Sequence, residues 1–144
     1  GINGDQAVSN NTSTKVQFKQ VLYDVGGYYD NVTNYRYTPL IAGYYQFILS
    51  GQVGNLVDTD DIILRIFKNG AVAGASQTRI HLTSLTNEDL FATNIHTSDV
   101  IHMNGTTDYI EGFMTIVSED GGTPQINAND HRTYLEGHLL TRTS

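Results

Sequence analysis

Short apolar runs separated by turn residues constrain the fold of this chain more than any other feature. Runs rich in Val, Ile, Phe and Tyr, such as "DIILRIFK" and "YIEGFMTIV", alternate with clusters of Gly, Asn, Asp and Thr. Apolar residues do not recur at the helical spacing i, i+3, i+4, i+7 over any long stretch without an interrupting Gly or β-branched run. The pattern predicts an all-β fold, namely a two-sheet antiparallel sandwich of about eight to ten strands.

The segment 38–53, "TPLIAGYYQFILSGQV", predicts how one of these strands is oriented. Because side chains alternate along a strand, one face carries the residues expected in the core: Tyr45, Phe47, Leu49 and Val53. The opposite face carries Tyr44 and Ile48, which are also large and hydrophobic. Pro39 suits the end of a strand, where a residue without a backbone N–H costs no ladder hydrogen bond.

The composition excludes several classes of partner and chemistry. The chain has 144 residues, which favours one domain, and a net charge of −7 with only 8 basic residues. Scattered basic residues in an acidic chain argue against a nucleic-acid partner, whose binding depends on clustered Lys and Arg. No apolar run approaches the roughly 20 residues that span a bilayer, so no membrane insertion is expected. The absence of cysteine excludes disulfides, zinc–thiolate sites and thiol nucleophiles.

The chain divides by pattern into a short lead and one folded domain. Residues 1–14, "GINGDQAVSNNTST", are small and polar and show no periodicity, so they are interpreted as an extended lead. Residues 15–144 carry all the strand-like runs and form the predicted domain. Because the first residue is Gly1 rather than Met, we expect that the lead follows an upstream segment.

The order of the strand-like runs resembles that of a known superfamily. The chain reads "LYDVGGYYDNVTNYRYTPLIAGYYQF", then "LRIFKNG", then "DVIHMNGTTDYIEGFMTIV", then a terminal "TYLEGHLL". These blocks resemble the jelly-roll heads of the complement one-q and tumour-necrosis-factor-like superfamily over about residues 15 to 142. The positions that match its aromatic strand motif are Asp24, Tyr37, Pro39, Gly43, Tyr45 and Phe47.

Later positions match the same superfamily by residue type. They are Lys68-Asn69-Gly70, Asp108 with Ile110, and Tyr134 with Gly137. Two residues depart from the pattern: Thr107 stands where the family usually has Gly, and Tyr134 replaces Phe. The first departure puts the turn before Asp108 in doubt, and the second is a mild change.

The resemblance implies a jelly-roll sandwich, a homotrimer and a binding function without catalysis. Similar domains occur in animal extracellular proteins and at the ends of bacteriophage tail fibres and head fibres, and the Asn-, Thr- and Gly-rich acidic composition is closer to the viral ones. The expectation is a trimeric head on the virion surface that recognises a host-surface glycan or protein. The alternatives are a structural trimerisation cap, an extracellular complement one-q-like ligand domain, and a depolymerising enzyme.

Apolar residues on both faces of two strands indicate where subunits would meet. A sandwich needs only one apolar face per sheet for its own core. Beyond Tyr44 and Ile48, one face of "DYIEGFMTIV" carries Ile110, Met114 and Ile116 and the other carries Tyr109, Phe113 and Val117. The candidate trimer interface is therefore Tyr44, Ile48, Tyr109, Phe113 and Val117. The alternative is that loops or the N-terminal lead cover this face.

Two patterns are candidates for metal binding. Asp58, Asp60 and Asp61 place three carboxylates in one short connection, and Ca²⁺ prefers such oxygen ligands. The alternative is a solvated acidic turn, because the spacing lacks the ordered ligands of an EF-hand loop. On a trimer axis His102 would be tripled into a three-His site, although a surface histidine is the simpler interpretation.

One aromatic, amide-rich loop is a candidate for ligand recognition. Tyr28, Tyr29 and Tyr35 could stack on a sugar or a protein, while Asp30 and Asn31 bind hydroxyl groups. The alternative is that these tyrosines pack beneath the loop. No G-x-S-x-G elbow, phosphate-binding Gly loop with Lys, or paired-carboxylate signature stands out in the sequence. The sequence therefore predicts a binding protein rather than an enzyme.

Overall fold

The protein is an all-β sandwich, as the sequence predicts. A computed structural model describes residues 1–56, 61–82, 91–118, 123–128 and 131–144. Within these ranges the chain forms eleven strands and no helix, so no described helix is long and apolar enough to cross a membrane. The strands are β1 (Gln6–Ala7), β2 (Thr14–Lys15), β3 (Tyr29–Asp30), β4 (Arg36–Tyr37), β5 (Gly43–Leu56), β6 (Asp61–Lys68), β7 (Ala71–His81), β8 (Phe91–Met103), β9 (Ile110–Val117), β10 (Gln125–Ile126) and β11 (Tyr134–Arg142).

The strands form two antiparallel sheets with jelly-roll connectivity. In the first sheet, β5 lies between β8 on one side and both β11 and β10 on the other, and β1 pairs with β10. The second sheet has the order β3-β4-β9-β6-β7, and β2 also pairs with β9. From β5 onward the chain passes repeatedly between the sheets, which confirms the predicted jelly-roll sandwich. The strand number exceeds the expected eight to ten because five of the eleven have only two residues.

The core lies between the inner faces of the two sheets. On β5 it contains the four residues predicted from alternation, which are Tyr45, Phe47, Leu49 and Val53. They face the fully buried residues Ile62, Leu64 and Ile66 of β6 and Ile110, Met114 and Ile116 of β9. Burial of each such side chain contributes about 1.5–3 kcal/mol, so this layer dominates the stability of the sandwich.

Glycine on β9 allows the two sheets to approach each other. A Cβ atom at Gly112 would lie 2.7 Å from the Leu49 side chain across the core, which is too close for a real contact. The hairpin between β6 and β7 depends on residues that can adopt positive φ angles. Asn69 and Gly70 have φ angles of 52° and 83°, as a type I′ turn requires.

The N-terminal segment is extended and packs into the sandwich. Ile2 and Val8 are buried in the core, and β1 adds to the edge of the first sheet through β10. The Gln6 side chain donates to the Lys15 carbonyl at 2.7 Å and accepts from the Gln17 N–H at 3.0 Å. Residues 1–14 therefore share the core of the domain that follows them.

Candidate functional site

The five candidate interface residues lie on two opposite surfaces. Tyr44 and Ile48 lie on the outer face of the first sheet, whereas Tyr109, Phe113 and Val117 lie on the outer face of the second. The outer faces of a sandwich point in opposite directions. A closed ring requires two contact surfaces inclined to each other, and surfaces on opposite sides produce an open stack. The five residues therefore form two separate patches, and their part in a trimer interface stays a prediction.

The outer face of the second sheet is partly covered by the chain itself. Phe113 stacks on Phe67 with ring centroids 4.2 Å apart, and the Lys15 ammonium lies 5.9 Å from the centre of the Phe113 ring. The Arg36 guanidinium lies 4.0 Å from the centre of the Tyr109 ring. Both candidate aromatic residues are half-buried within one chain. Lys15 and Arg36 lie over these rings, which favours the alternative that other segments of the same chain cover this face.

Glu111 explains why Lys15 and Arg36 lie there. It points outward between Tyr109 and Phe113, yet it is buried, with its carboxylate 2.5 Å from the Lys15 ammonium and 3.2 Å from the Arg36 guanidinium. A buried carboxylate is stable only when it is paired. Sequence reasoning missed this cluster, although a Glu within the apolar run "YIEGFMTIV" was a signal that a cation had to cover it.

The outer face of the first sheet is more exposed. We use the name sheet-1 face for its central residues, which are Tyr44, Gln46 and Ile48 on β5 and Ser98, Val100 and His102 on β8. Tyr44 is 45 % exposed and Val100 is 50 % exposed. Tyr44 lies opposite His102 in the ladder, with the two rings in edge contact at 5.1 Å. Two large hydrophobic side chains are thus presented to solvent from paired strands, side by side.

Three histidines share this side of the molecule. His96 and His102 on β8 and His138 on β11 all point outward and are exposed. The Nε2 atom of His102 lies 3.1 Å from the Thr143 hydroxyl. Among the described residues no three His, Cys, Asp or Glu side chains converge as metal ligands within one chain. A three-His site made by His102 on a trimer axis stays a prediction.

The structure describes only one of the three aspartates of the acidic run, which is Asp61. Asp58 and Asp60 lie outside the described residues. Asp61 pairs through one carboxylate oxygen with Arg79 and through the other with His81, at 2.7 Å. The hydrogen bond from Arg79 is the main reason that the pKa of Asp61 lies below its usual value. Calcium would have to displace both side chains, so the surroundings of Asp61 do not fit this ion.

The polar side chains of the candidate recognition loop bond to backbone and side-chain groups of the same chain. One oxygen of Asp30 accepts from the backbone N–H groups of Val32 and Thr33 at 3.0 and 2.9 Å, and the other accepts from Asn34. These bonds, led by the one from Thr33, lower the pKa of Asp30 to about 2. The Asn31 side chain donates to the Lys19 carbonyl at 2.9 Å. Asp30 and Asn31 therefore hold the loop in shape.

Two of the three tyrosines of this loop pack against other parts of the chain. Tyr28 makes an edge contact with Tyr37 at 5.9 Å, and Tyr29 packs against the core. Burial raises the pKa of the Tyr29 hydroxyl. Tyr35, by contrast, is a half-buried turn residue with a φ angle of 51°. Tyr28 and Tyr29 therefore pack beneath the loop, which was the alternative to ligand recognition.

Both of these tyrosines line a cavity of about 680 Å³ at the open edge of the sandwich. We call it the aromatic cavity after the eight Phe and Tyr residues that line it, which are Phe18, Tyr23, Tyr28, Tyr29, Tyr37, Tyr45, Phe47 and Tyr134. Leu135 and Leu139 of β11 also line it. Sequence reasoning missed the cavity because these residues come from five separate segments.

Two landmarks of the resemblance meet at one end of the sandwich. The Asp108 carboxylate accepts from the Asn69 side chain at 2.8 Å and from the Asn104 backbone N–H at 2.9 Å, and it pairs with Lys68 at 2.9 Å. Burial acts to raise the pKa of Asp108, but these three bonds outweigh it and hold the pKa below its usual value. The cluster is structural, since it fixes the turn between β6 and β7 against the loop before β9.

The chain matches no protein-family model, and a search of the curated proteins gives no significant match.

Proposed function

We propose that this domain is a non-enzymatic, homotrimeric binding head of a phage fibre or other virion-surface protein, which recognises a host-surface glycan or protein. The observation that carries the proposal is the exposure of Tyr44 and Val100 on the sheet-1 face. Burial of these two hydrophobic side chains, which lie on neighbouring strands of one face, against another protein would remove apolar surface from water. The trimer in this proposal follows from the resemblance to jelly-roll heads.

The sheet-1 face is the better candidate for the subunit interface. On the second sheet, Phe113 and Tyr109 are already half-covered by Lys15 and Arg36. On the first sheet, Tyr44 and Val100 remain about half-exposed. Burial of the sheet-1 face against a neighbour would remove more apolar surface from water per residue. The interface proposed here therefore keeps Tyr44 and Ile48, adds Val100, and leaves out Tyr109, Phe113 and Val117.

A rigid trimer supports the binding role through multivalency. Three copies of each loop on one particle convert a weak contact with a repeated surface sugar or protein into strong overall binding. β5, the central strand of the first sheet, pairs on both sides along its length, so the sheet-1 face has a firm support. A domain of this kind needs no catalytic group for its role.

A trimerisation cap is the second candidate function. It is favoured by the loop at 28–35, where Asp30 accepts from backbone groups of its own turn and the Asn31 side chain donates to the Lys19 carbonyl. A cap would need the subunit interface but no free recognition loop. The two functions differ in whether loop substitutions change binding to the host.

Whole-cell binding and a glycan array test the proposed function, with Val100→Arg as the paired variant. We expect the parent protein to bind a host surface or a glycan and Val100→Arg to bind it at least about tenfold more weakly, because avidity is lost with the trimer. A trimeric protein that binds no candidate host and no glycan would favour the cap. Release of oligosaccharides from host capsule would instead show an enzyme.

A further inference from the structure

We propose that the aromatic cavity is a binding site for a neutral, flat, mostly apolar small molecule. The cavity lies at the open edge of the sandwich, with lining residues from β3, β4, β5 and β11 and from the segment 20–28. None of the six residues of the sheet-1 face lines it, so the inference does not depend on trimer formation or on host recognition.

The size of the cavity is the first argument. Protein interiors are close-packed, with few voids larger than a water molecule. The cavity, which opens to solvent at its rim, has a volume of about 680 Å³, and this lies within the roughly 300–1,000 Å³ of small-molecule sites. Side chains around an empty space lose the contacts that they would make with filling atoms. A ligand that fills the cavity would recover these contacts.

The aromatic walls give the second argument and define the shape of the ligand. Tyr37 lies at the centre of the wall, with ring centroids 5.9 Å from Tyr28, 6.3 Å from Tyr45 and 5.7 Å from Phe47. Tyr45 and Phe47 are fully buried, and the Tyr45 hydroxyl donates to the Ile41 carbonyl at 2.8 Å. These two rings therefore hold the wall in place, and the half-buried rings of Tyr28 and Tyr37 keep accessible surface for a ligand. Aromatic rings bind another flat ring well in offset or edge-to-face contact.

Charge around the cavity excludes anions as the preferred ligand. Asp24 and Glu136 are among the lining residues, and the whole chain carries a net charge of −7. Asp24 also fixes the wall, because its carboxylate accepts from the Tyr29 backbone N–H at 2.7 Å. A negatively charged ligand would meet repulsion in these surroundings. A neutral molecule avoids this cost.

The segment 20–28 supplies an apolar rim. Val21, Leu22, Tyr23 and Val25 line the cavity and also expose 42 to 102 % of their surface. Large side chains that are exposed beside an apolar opening extend its surface toward solvent. These four side chains are also the competing occupants, because they could turn inward and fill the space themselves.

Titration with Nile red tests the proposal, because this dye is neutral, flat and mostly apolar. We expect saturable binding at one site per chain, with enhanced fluorescence. Leu135→Trp should weaken the binding at least about tenfold by filling the cavity. Val72→Trp, which adds the same ring on the opposite outer face at a residue that is 44 % exposed, should leave it within about twofold.

A further variant keeps the test decisive. If Leu135→Trp does not fold by circular dichroism, Ile41→Trp replaces it. The proposal is overturned if the parent protein shows no saturable binding. It is also overturned if folded filling variants bind as the parent does, since the dye would then lie on the exposed rim.

Discussion

The Asp108 carboxylate accepts a hydrogen bond from the Asn69 side chain at 2.8 Å, which joins two turns that are 39 residues apart in the chain. The same amide group returns the contact, because its oxygen accepts from the Tyr109 backbone N–H at 2.9 Å. Lys68 completes the cluster by pairing with Asp108 and by donating to the His102 carbonyl at 2.7 Å. One small polar cluster thus connects β6, β8 and β9 at one end of the sandwich.

Replacing Asp108 should destabilise the domain. Asp108→Ala removes the acceptor for three bonds, one of them to a charged group, and we expect the free energy of unfolding to fall by about 2–4 kcal/mol. Asp108→Asn keeps the shape and loses mainly the attraction to Lys68, so its loss should be smaller, at about 1 kcal/mol. Urea unfolding measures both variants. Equal stability of Asp108→Ala and the parent would refute the role of the cluster.

The stability of the domain should fall in acid. The pKa values of Asp30, Asp61 and Asp108 are all lowered in the folded protein. Their contribution is complete above the pKa of the unfolded chain, at about 3.9, and is lost as the pH falls through the lower folded value. The unfolded state binds more protons in this window, so the melting temperature should decrease with decreasing pH.

Melting curves between neutral pH and about pH 2.5 measure this effect. Asp108→Asn cannot titrate at this position, so its melting temperature should fall less steeply below about pH 4 than that of the parent. A variant that follows the parent curve at every pH would show that Asp108 does not contribute to the acid sensitivity.

Gly137 should tolerate no side chain. A Cβ atom at this position would lie 2.6 Å from the Phe47 ring, which is fully buried. Gly137→Ala should therefore cost about 1–3 kcal/mol, as overpacked cores do. Phe47→Leu costs stability by itself, but the double variant should lose less than the sum of the two single variants. Simple additivity in denaturant unfolding would contradict the close contact.

The sequence predicted the fold well because period-2 alternation and turn residues act locally. Tyr45, Phe47 and Leu49 are buried as alternation requires. The burial of outward-facing residues was harder to predict, because it depends on which distant segment covers them. Phe113 pointed outward as predicted, but Lys15, nearly one hundred residues away, lies over its ring. No local pattern encodes this contact.

The candidate sites were less predictable for the same reason. Asp30 had the right chemistry for binding a hydroxyl, but its oxygens accept from backbone groups of its own turn. Tyr29 was selected as a surface residue and instead lines the aromatic cavity. In both cases the residue type indicated a polar or aromatic contact correctly. Only the three-dimensional arrangement identified the partner.

The molar mass in solution, measured by multi-angle light scattering, tests the proposed trimer most directly. We expect three times the 15.9 kDa of one chain. Val100→Arg should give the mass of a single chain, because it places a charge in the sheet-1 face. Val72→Arg is the matched control, because this valine is similarly exposed on the outer face of the second sheet, and it should remain trimeric. A parent protein with the mass of one chain would contradict the trimer, and a trimer broken by Val72→Arg but not by Val100→Arg would contradict the assigned face.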